Sequence, residues 1–95
     1  MNTDKEIEKL RRKVDAFDDR ILEILVQRFS VVKEIGQIKS ISTINIDHPD
    51  REKEIIERLA DNLKGKLHRK DIMKILKPIF EISKKFQVEA IHSRN

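Results

Sequence analysis

The chain is 95 residues long, with 40% charged residues, 38% apolar residues and a formal net charge of +4. It has no cysteine, which excludes disulfides and thiolate catalysis, and no signal peptide or membrane-length apolar run, so we expect a cytoplasmic protein of one domain, residues 1–95, without membrane contact. A small anionic ligand is as good an explanation of the positive charge as a nucleic-acid partner, and interspersed charges and only four aromatic residues argue against the nucleic acid.

The first predicted helix spans about residues 4–39 and starts with a capping box formed by Thr3 and Glu6. Its apolar residues follow the three-four spacing of a helix that packs along its whole length against other helices. This apolar seam comprises Ile7, Leu10, Val14, Phe17, Ile21, Ile24, Val31, Ile35 and Ile38. Such a helix is about 50 Å long, whereas a compact monomer of this size is only about 30 Å across. We therefore expect an intertwined homodimer in which the long helices of two chains pair.

Arg28 occupies the seam position between Ile24 and Val31. A guanidinium in an apolar seam is costly unless an anion meets it. Its position leaves two alternatives open. One is a buried ion pair with a carboxylate of another helix, and the other is an anionic ligand held in the core.

A second helix is predicted over about residues 49–63, after a linker at residues 40–47. Pro49 suits the first position of this helix. Glu52 lies in line with the apolar stripe of the helix, although a carboxylate in a first turn is also ordinary capping. Arg51 is harder to explain in this way, because a cation in the first turn opposes the helix dipole.

The third predicted helix spans about residues 68–92, and two polar residues interrupt its apolar stripe. Ser83 and Gln87 are four positions apart, so they lie one turn from each other on the same face. Hydrogen bonds between helices would explain Ser83. Gln87 has more polar atoms to satisfy and is therefore a candidate site residue.

The positions of the cations along the first helix predict a site shared between two chains. Arg28 and Lys39 fall on one face, about 16 Å apart, and their long side chains can hold a ligand between them. Arg11 lies about 25 Å from Arg28 and is rotated by roughly 100°. If Arg11 belongs to the same site, it must come from the partner chain.

The motifs, taken in order, resemble the all-helical class of chorismate mutases over about residues 5–90. They are Leu10-Arg11-Arg12-Lys13-Val14-Asp15-Ala16-Phe17-Asp18, then Arg28, Gly36-x-x-Lys39, Asp50-Arg51-Glu52 and Ser83-x-x-x-Gln87. The resemblance implies an all-α chain of three helices, intertwined as a homodimer with two active sites and acting in aromatic amino acid biosynthesis. It implies no cofactor and no metal.

The resemblance also implies the reaction, a Claisen rearrangement of chorismate to prephenate. That reaction needs no acid, base or nucleophile, so the enzyme holds the compact diaxial substrate and stabilises charge on the ether oxygen. Lys39 and Gln87 are then the catalytic residues, which donate hydrogen bonds to this oxygen.

The remaining predicted site residues bind the substrate. Arg28 and Arg11 of the partner subunit are expected to pair with the two carboxylates, supported by Arg51 and Ser83.

Glu52 is expected to meet the ring hydroxyl. His48 stands where the family commonly has an acid, at a position whose backbone helps to bind the same hydroxyl.

Two alternatives to a chorismate mutase stay open. Isochorismate pyruvate lyases keep the Arg, Lys and Gln set but tend to lack the acid that is Glu52 in this sequence. A non-catalytic, mutase-like regulatory domain is the other alternative, and the intact set of site residues argues against it. The resemblance fits either a stand-alone enzyme or a domain of a bifunctional enzyme of the aromatic pathway.

Overall fold

The computed structural model describes residues 2–39 and 49–92. They form three helices, α1 (Thr3–Lys39), α2 (Pro49–Asn62) and α3 (Arg69–His92). The all-α prediction is confirmed for the described residues, and each predicted helix end agrees with the structure or differs from it by one residue. No helix in this part of the chain is long and apolar enough to cross a membrane. The predicted linker at residues 40–47 lies outside the described residues.

Helix α1 begins one residue earlier than predicted because Asn2, rather than Thr3, caps it. The side-chain Oδ1 of Asn2 accepts a hydrogen bond from the Lys5 N–H at 3.3 Å, and its carbonyl oxygen accepts one from the Glu6 N–H at 3.2 Å. The predicted capping box of Thr3 and Glu6 is therefore wrong. Asparagine is among the strongest N-cap residues, and it satisfies the free N–H groups one position earlier.

Helix α3 lies between the other two helices. Contacts from Arg28 to Ser83 and from Gly36 to Ala90 show that α1 and α3 run in parallel. Helix α2 packs against α3 in the opposite direction, with Glu52 beside Lys84 and Glu57 beside Arg69, and its backbone does not come close to that of α1 within the described residues. This arrangement leaves one side of α3 facing a groove bounded by α1 and α2.

The core of a single chain is thin. Its buried apolar residues are Val32, Ile72, Phe80 and Ala90. The rings of Phe29 and Phe86 meet at a centroid distance of 5.2 Å and join the C-terminal half of α1 to α3. A core of this size buries little apolar surface, so one chain gains little hydrophobic stabilisation by itself.

The predicted apolar seam of α1 is exposed in the single chain, as expected for a surface that a second copy of the chain would cover, and the pairing of two such helices stays a prediction. Its side chains are between 41% exposed, for Ile35, and 64% exposed, for Ile38. The face of α1 that packs on α3 lies one position further along the chain and includes Val32 and Gly36, which are buried. The two faces adjoin each other, and only the second is covered by the chain itself.

Candidate active site

A cavity of about 390 Å³ lies in the groove and is lined by residues of all three helices. All the predicted site residues of the described chain except Arg11 line it, namely Arg28, Lys39, Arg51, Glu52, Ser83 and Gln87. His48 lies outside the described residues. The structure therefore brings together side chains that are up to 59 positions apart in sequence, from Arg28 to Gln87.

Arg28 reaches the cavity from α1 and donates a hydrogen bond from Nη1 to the Ser83 Oγ at 2.5 Å. The Ser83 hydroxyl in turn donates to the Ile79 carbonyl at 2.7 Å, which fixes the hydroxyl against its own helix. The guanidinium also lies 5.9 Å from the centroid of the Phe80 ring. Burial, followed by the nearby charge of Arg51, lowers the pKa of Arg28 below its usual range.

The described residues of one chain supply no carboxylate partner to Arg28, whose contacts are Ser83 and Phe80. The ion-pair alternative for Arg28 is thus not met within this part of the chain. A desolvated cation beside a second cation favours an anion in the cavity.

The first turn of α2 contributes one cation and one carboxylate to the cavity. Arg51 pairs with Glu54 at 3.3 Å on the exposed side of the helix. Glu52 Oε2 lies 3.1 Å from the Lys84 Nζ of α3. Glu52 is therefore more than a capping carboxylate, because it faces the cavity and links α2 to α3.

Lys39 and Gln87 lie beside a close approach of α1 to α3 at Gly36. A Cβ atom added to Gly36 would lie 2.9 Å from the Gln87 Cα and 3.0 Å from the Gln87 carbonyl oxygen. Only a glycine allows this approach, which places the last turn of α1, with Lys39, beside Gln87. The buried Oε1 of Gln87 has no hydrogen-bond partner among the described residues, and an unpaired buried polar group costs about 1–3 kcal/mol. The unpaired Oε1 is an acceptor that can receive a hydrogen bond, whereas donation to a ligand would fall to the Nε2 of the same amide.

Arg11 lies outside the cavity in the N-terminal half of α1. Its side chain is 73% exposed and lies 4.0 Å from Glu8. A single chain does not bring Arg11 to the site, in agreement with the helix geometry.

Two cavity-lining residues of α3, Phe80 and Lys84, were not predicted as site residues. Each precedes a predicted site residue by three positions, Phe80 before Ser83 and Lys84 before Gln87. Residues three apart share a helix face, so this spacing is the signal that could have found them.

The cavity combines a cationic lining with apolar walls. Its cations are Arg28, Lys39, Arg51 and Lys84, with Glu52 as the carboxylate and with Val32, Ile35, Ile55 and Phe80 as walls. No group of histidine and carboxylate side chains among the described residues could hold a metal ion. The fold and the site define a small helical protein suited to binding a compact organic anion.

Comparison with known families agrees with a small helical protein that binds an organic anion, and it identifies the family. Residues 10–88 match the family described as chorismate mutase type II, and the chain belongs to that family. The resemblance predicted from the sequence motifs is confirmed.

Two related proteins carry the name chorismate mutase, alone or as part of a bifunctional enzyme. A bifunctional chorismate mutase/prephenate dehydratase of Aquifex aeolicus is 40% identical over 55 residues, which are 58% of this chain and 15% of that protein. A chorismate mutase of Methanocaldococcus jannaschii is 34% identical over 55 residues, which are 58% of this chain and 56% of that protein. The match thus spans less than two thirds of either relative.

A solved structure shares the fold over nearly the whole chain. It is the crystal structure of chorismate mutase from Helicobacter pylori in complex with prephenate. The TM-score is 0.85 at 31% sequence identity, and the match covers 93% of this chain and 96% of that chain. The similarity includes all three helices.

Proposed function

We propose that this chain is a chorismate mutase, an isomerase that converts chorismate to prephenate by a Claisen rearrangement. Membership of the type II family and the likeness to a chorismate mutase crystallised with prephenate support the proposal. The observation that carries it is the convergence of Arg28, Lys39, Glu52 and Gln87 on one cavity.

The substrate carboxylates are bound by arginine side chains. Arg28 meets one carboxylate with its planar fork, which forms two parallel charge-assisted hydrogen bonds. The cost of desolvating Arg28 beside Arg51 is offset when the anion binds. The Ser83 Oγ accepts a hydrogen bond from the same guanidinium at 2.5 Å and helps to hold it in place. Substrate affinity therefore depends on a cation that is already positioned in the free protein.

The rearrangement breaks one C–O bond and forms one C–C bond within a single molecule, without any proton transfer. The protein accelerates it by holding the diaxial conformer, in which the reacting ends are close together. Negative charge grows on the ether oxygen as the C–O bond lengthens. Lys39 and Gln87 donate hydrogen bonds to that oxygen, and each such donor contributes about 10²–10³-fold in rate.

Glu52 accepts a hydrogen bond from the ring hydroxyl of the substrate. It is the only carboxylate that lines the cavity among the described residues. Its hydrogen bond to the hydroxyl orients the ring relative to the two arginines that bind the substrate carboxylates. His48 is proposed to help at the same hydroxyl through its backbone.

The second substrate carboxylate is bound by Arg11 of the partner subunit, in an intertwined homodimer. The exposed seam on α1 supports such a dimer, because a contiguous apolar surface of this length marks an interaction site. Arg11 follows the seam residue Leu10 directly, so pairing of the seams would bring its side chain to the partner.

The test is a chorismate depletion assay with chromatographic identification of the product, run in parallel on isochorismate. We expect prephenate from chorismate, with Lys39→Met lowering the rate by about 10²–10³-fold. Lys74→Met, at an exposed position of α3 outside the cavity, is the control and should leave the rate unchanged.

Other outcomes would contradict the proposal. Release of pyruvate from isochorismate, without prephenate from chorismate, would identify a lyase of the same fold. Loss of neither compound would indicate a non-catalytic, mutase-like domain.

A further inference from the structure

We propose that Lys84 is a positioning residue that holds Glu52 in place to accept the ring hydroxyl of the substrate, an inference that rests on the proposed function. The pair spans the cavity wall between α2 and α3. Lys84 Nζ lies 3.1 Å from Glu52 Oε2, and both residues line the cavity.

The geometry divides the two oxygens of the Glu52 carboxylate between two partners. The ion pair with Lys84 is made by Oε2 and does not occupy Oε1. An ionised carboxylate has lone pairs for about four hydrogen bonds. Glu52 can therefore keep Lys84 on one oxygen and accept the substrate hydroxyl on the other.

Glu52 needs such support because of its place in the fold. It lies in the first turn of α2, a helix without a fully buried residue. Its side chain is 28% exposed and that of Lys84 is 38% exposed. A long carboxylate side chain at a partly open helix start has several rotamers available, and a cation fixed on the neighbouring helix selects one of them.

A different role for Lys84 makes a different prediction. Lys84 could instead bind a substrate carboxylate directly, as a further cation of the cavity. In that case its contribution would be independent of Glu52. A double-mutant cycle separates the two roles, because residues that act through each other give non-additive effects.

The experiment measures kcat and KM on chorismate for the wild type, Lys84→Met, Glu52→Gln and the double variant. Methionine keeps the length of the stem and removes the charge. We expect Lys84→Met to raise KM on the order of tenfold, the value of one charge-assisted hydrogen bond. In the Glu52→Gln background the same change should have less than about a twofold effect, since its partner is already lost.

Two controls make the test specific. Lys85→Met removes the same charge from the next residue, which is exposed and outside the cavity, and it should leave KM unchanged. Lys84→Arg keeps a cation beside Glu52 and should restore most of the lost affinity. Melting temperatures of all variants separate a change of fold from a change of site.

A substrate analogue without the ring hydroxyl gives a second readout. Wild type and Lys84→Met should bind this analogue equally, because the contact that Lys84 supports is absent. A Lys84→Met effect that persists with the analogue, or that multiplies with Glu52→Gln, would overturn the inference while leaving the proposed function intact. A wild-type chain without chorismate turnover would overturn both.

Discussion

Arg28 is a side chain that lines the candidate site at a cost to the fold. Its pKa is lowered by burial and then by the charge of Arg51. A base whose pKa is lower in the folded chain than in the unfolded chain opposes folding while it is protonated. This penalty is present in full below the folded pKa and is relieved only as pH rises through it.

We therefore expect Arg28→Ala to abolish turnover without lowering the melting temperature. The substrate carboxylate loses a bidentate partner, so kcat/KM should fall about a hundredfold or more, while the free protein loses an uncompensated cation. Thermal melting and chorismate depletion check the two parts. Arg58→Ala, on an exposed position of α2, is the control. A large fall in melting temperature, with activity following the folded fraction, would show that Arg28 is structural.

Gln87 offers a test of which group meets the ether oxygen. The amide donates at every pH, whereas a carboxyl group donates only when protonated. We expect Gln87→Glu to be active in acid and to lose activity as pH rises through the pKa of the new side chain, which burial raises.

The measurement is a pH–rate profile of wild type, Gln87→Glu and Gln27→Glu, the last at an exposed position of α1. The control should follow the wild type. If Gln87→Glu also followed the wild type at every pH, Gln87 would not face the ether oxygen.

The helices themselves could be predicted closely because their spacing, caps and breakers are local signals. The packing of α1 could not, because α1 carries two adjoining apolar faces. Periodicity identified the face of Val31 and Ile35, whereas the chain itself covers the face of Val32 and Gly36. Nothing local tells a helix which face meets its own chain.

The site could be predicted where a polar residue interrupts an apolar stripe, as Arg28 and Gln87 do. Lys84 escaped this reasoning because a lysine on a charged helix resembles an ordinary solvated residue. Its role depends on Glu52, which is brought close only by the packing of α2 against α3.

The close approach of α1 to α3 predicts different outcomes for the two glycines of the chain. In Gly36→Ala the new Cβ would meet the Gln87 backbone at 2.9 Å. Backbone atoms cannot move away singly, so the helices must separate, at a cost of about 1–3 kcal/mol. Because Lys39 and Gln87 flank this contact, activity per folded molecule should fall as well.

Gly65→Ala is the matched control. Gly65 has a φ of +82° in the turn after α2, and no atom lies within 4 Å of an added Cβ. This change should lower stability through backbone strain by about 1 kcal/mol but leave activity per folded molecule unchanged. Equal activity losses in both variants would contradict a positioning role for the helix contact.

The dimensions of the chain favour assembly with a second copy. Its radius of gyration is 17.7 Å and its longest extent is 63 Å, whereas a compact chain of this length has a radius of gyration of about 12 Å. We expect an obligate dimer whose melting temperature rises with protein concentration. Sedimentation that shows a folded monomer at micromolar concentration would contradict this.

The proposal of a site shared between two chains makes a prediction about mixtures of inactive proteins. Arg11 and Arg28 lie about 25 Å apart on one helix, and Arg11 does not line the cavity of its own chain. We expect Arg11→Ala and Arg28→Ala each to be inactive as homodimers. In a mixed dimer, one site lacks both arginines, while the other keeps its own Arg28 and receives an intact Arg11 from the partner subunit.

Subunit exchange between the two variants should therefore restore activity. With random assortment half the dimers are mixed and each has one working site, so recovery should approach roughly a quarter of the wild-type rate. Native mass spectrometry verifies the exchange, and a mixture of Arg11→Ala with the double variant, which cannot form a complete site with Arg11 from either chain, is the control. If exchange is complete and no activity returns, Arg11 does not act across the dimer and the shared-site proposal fails.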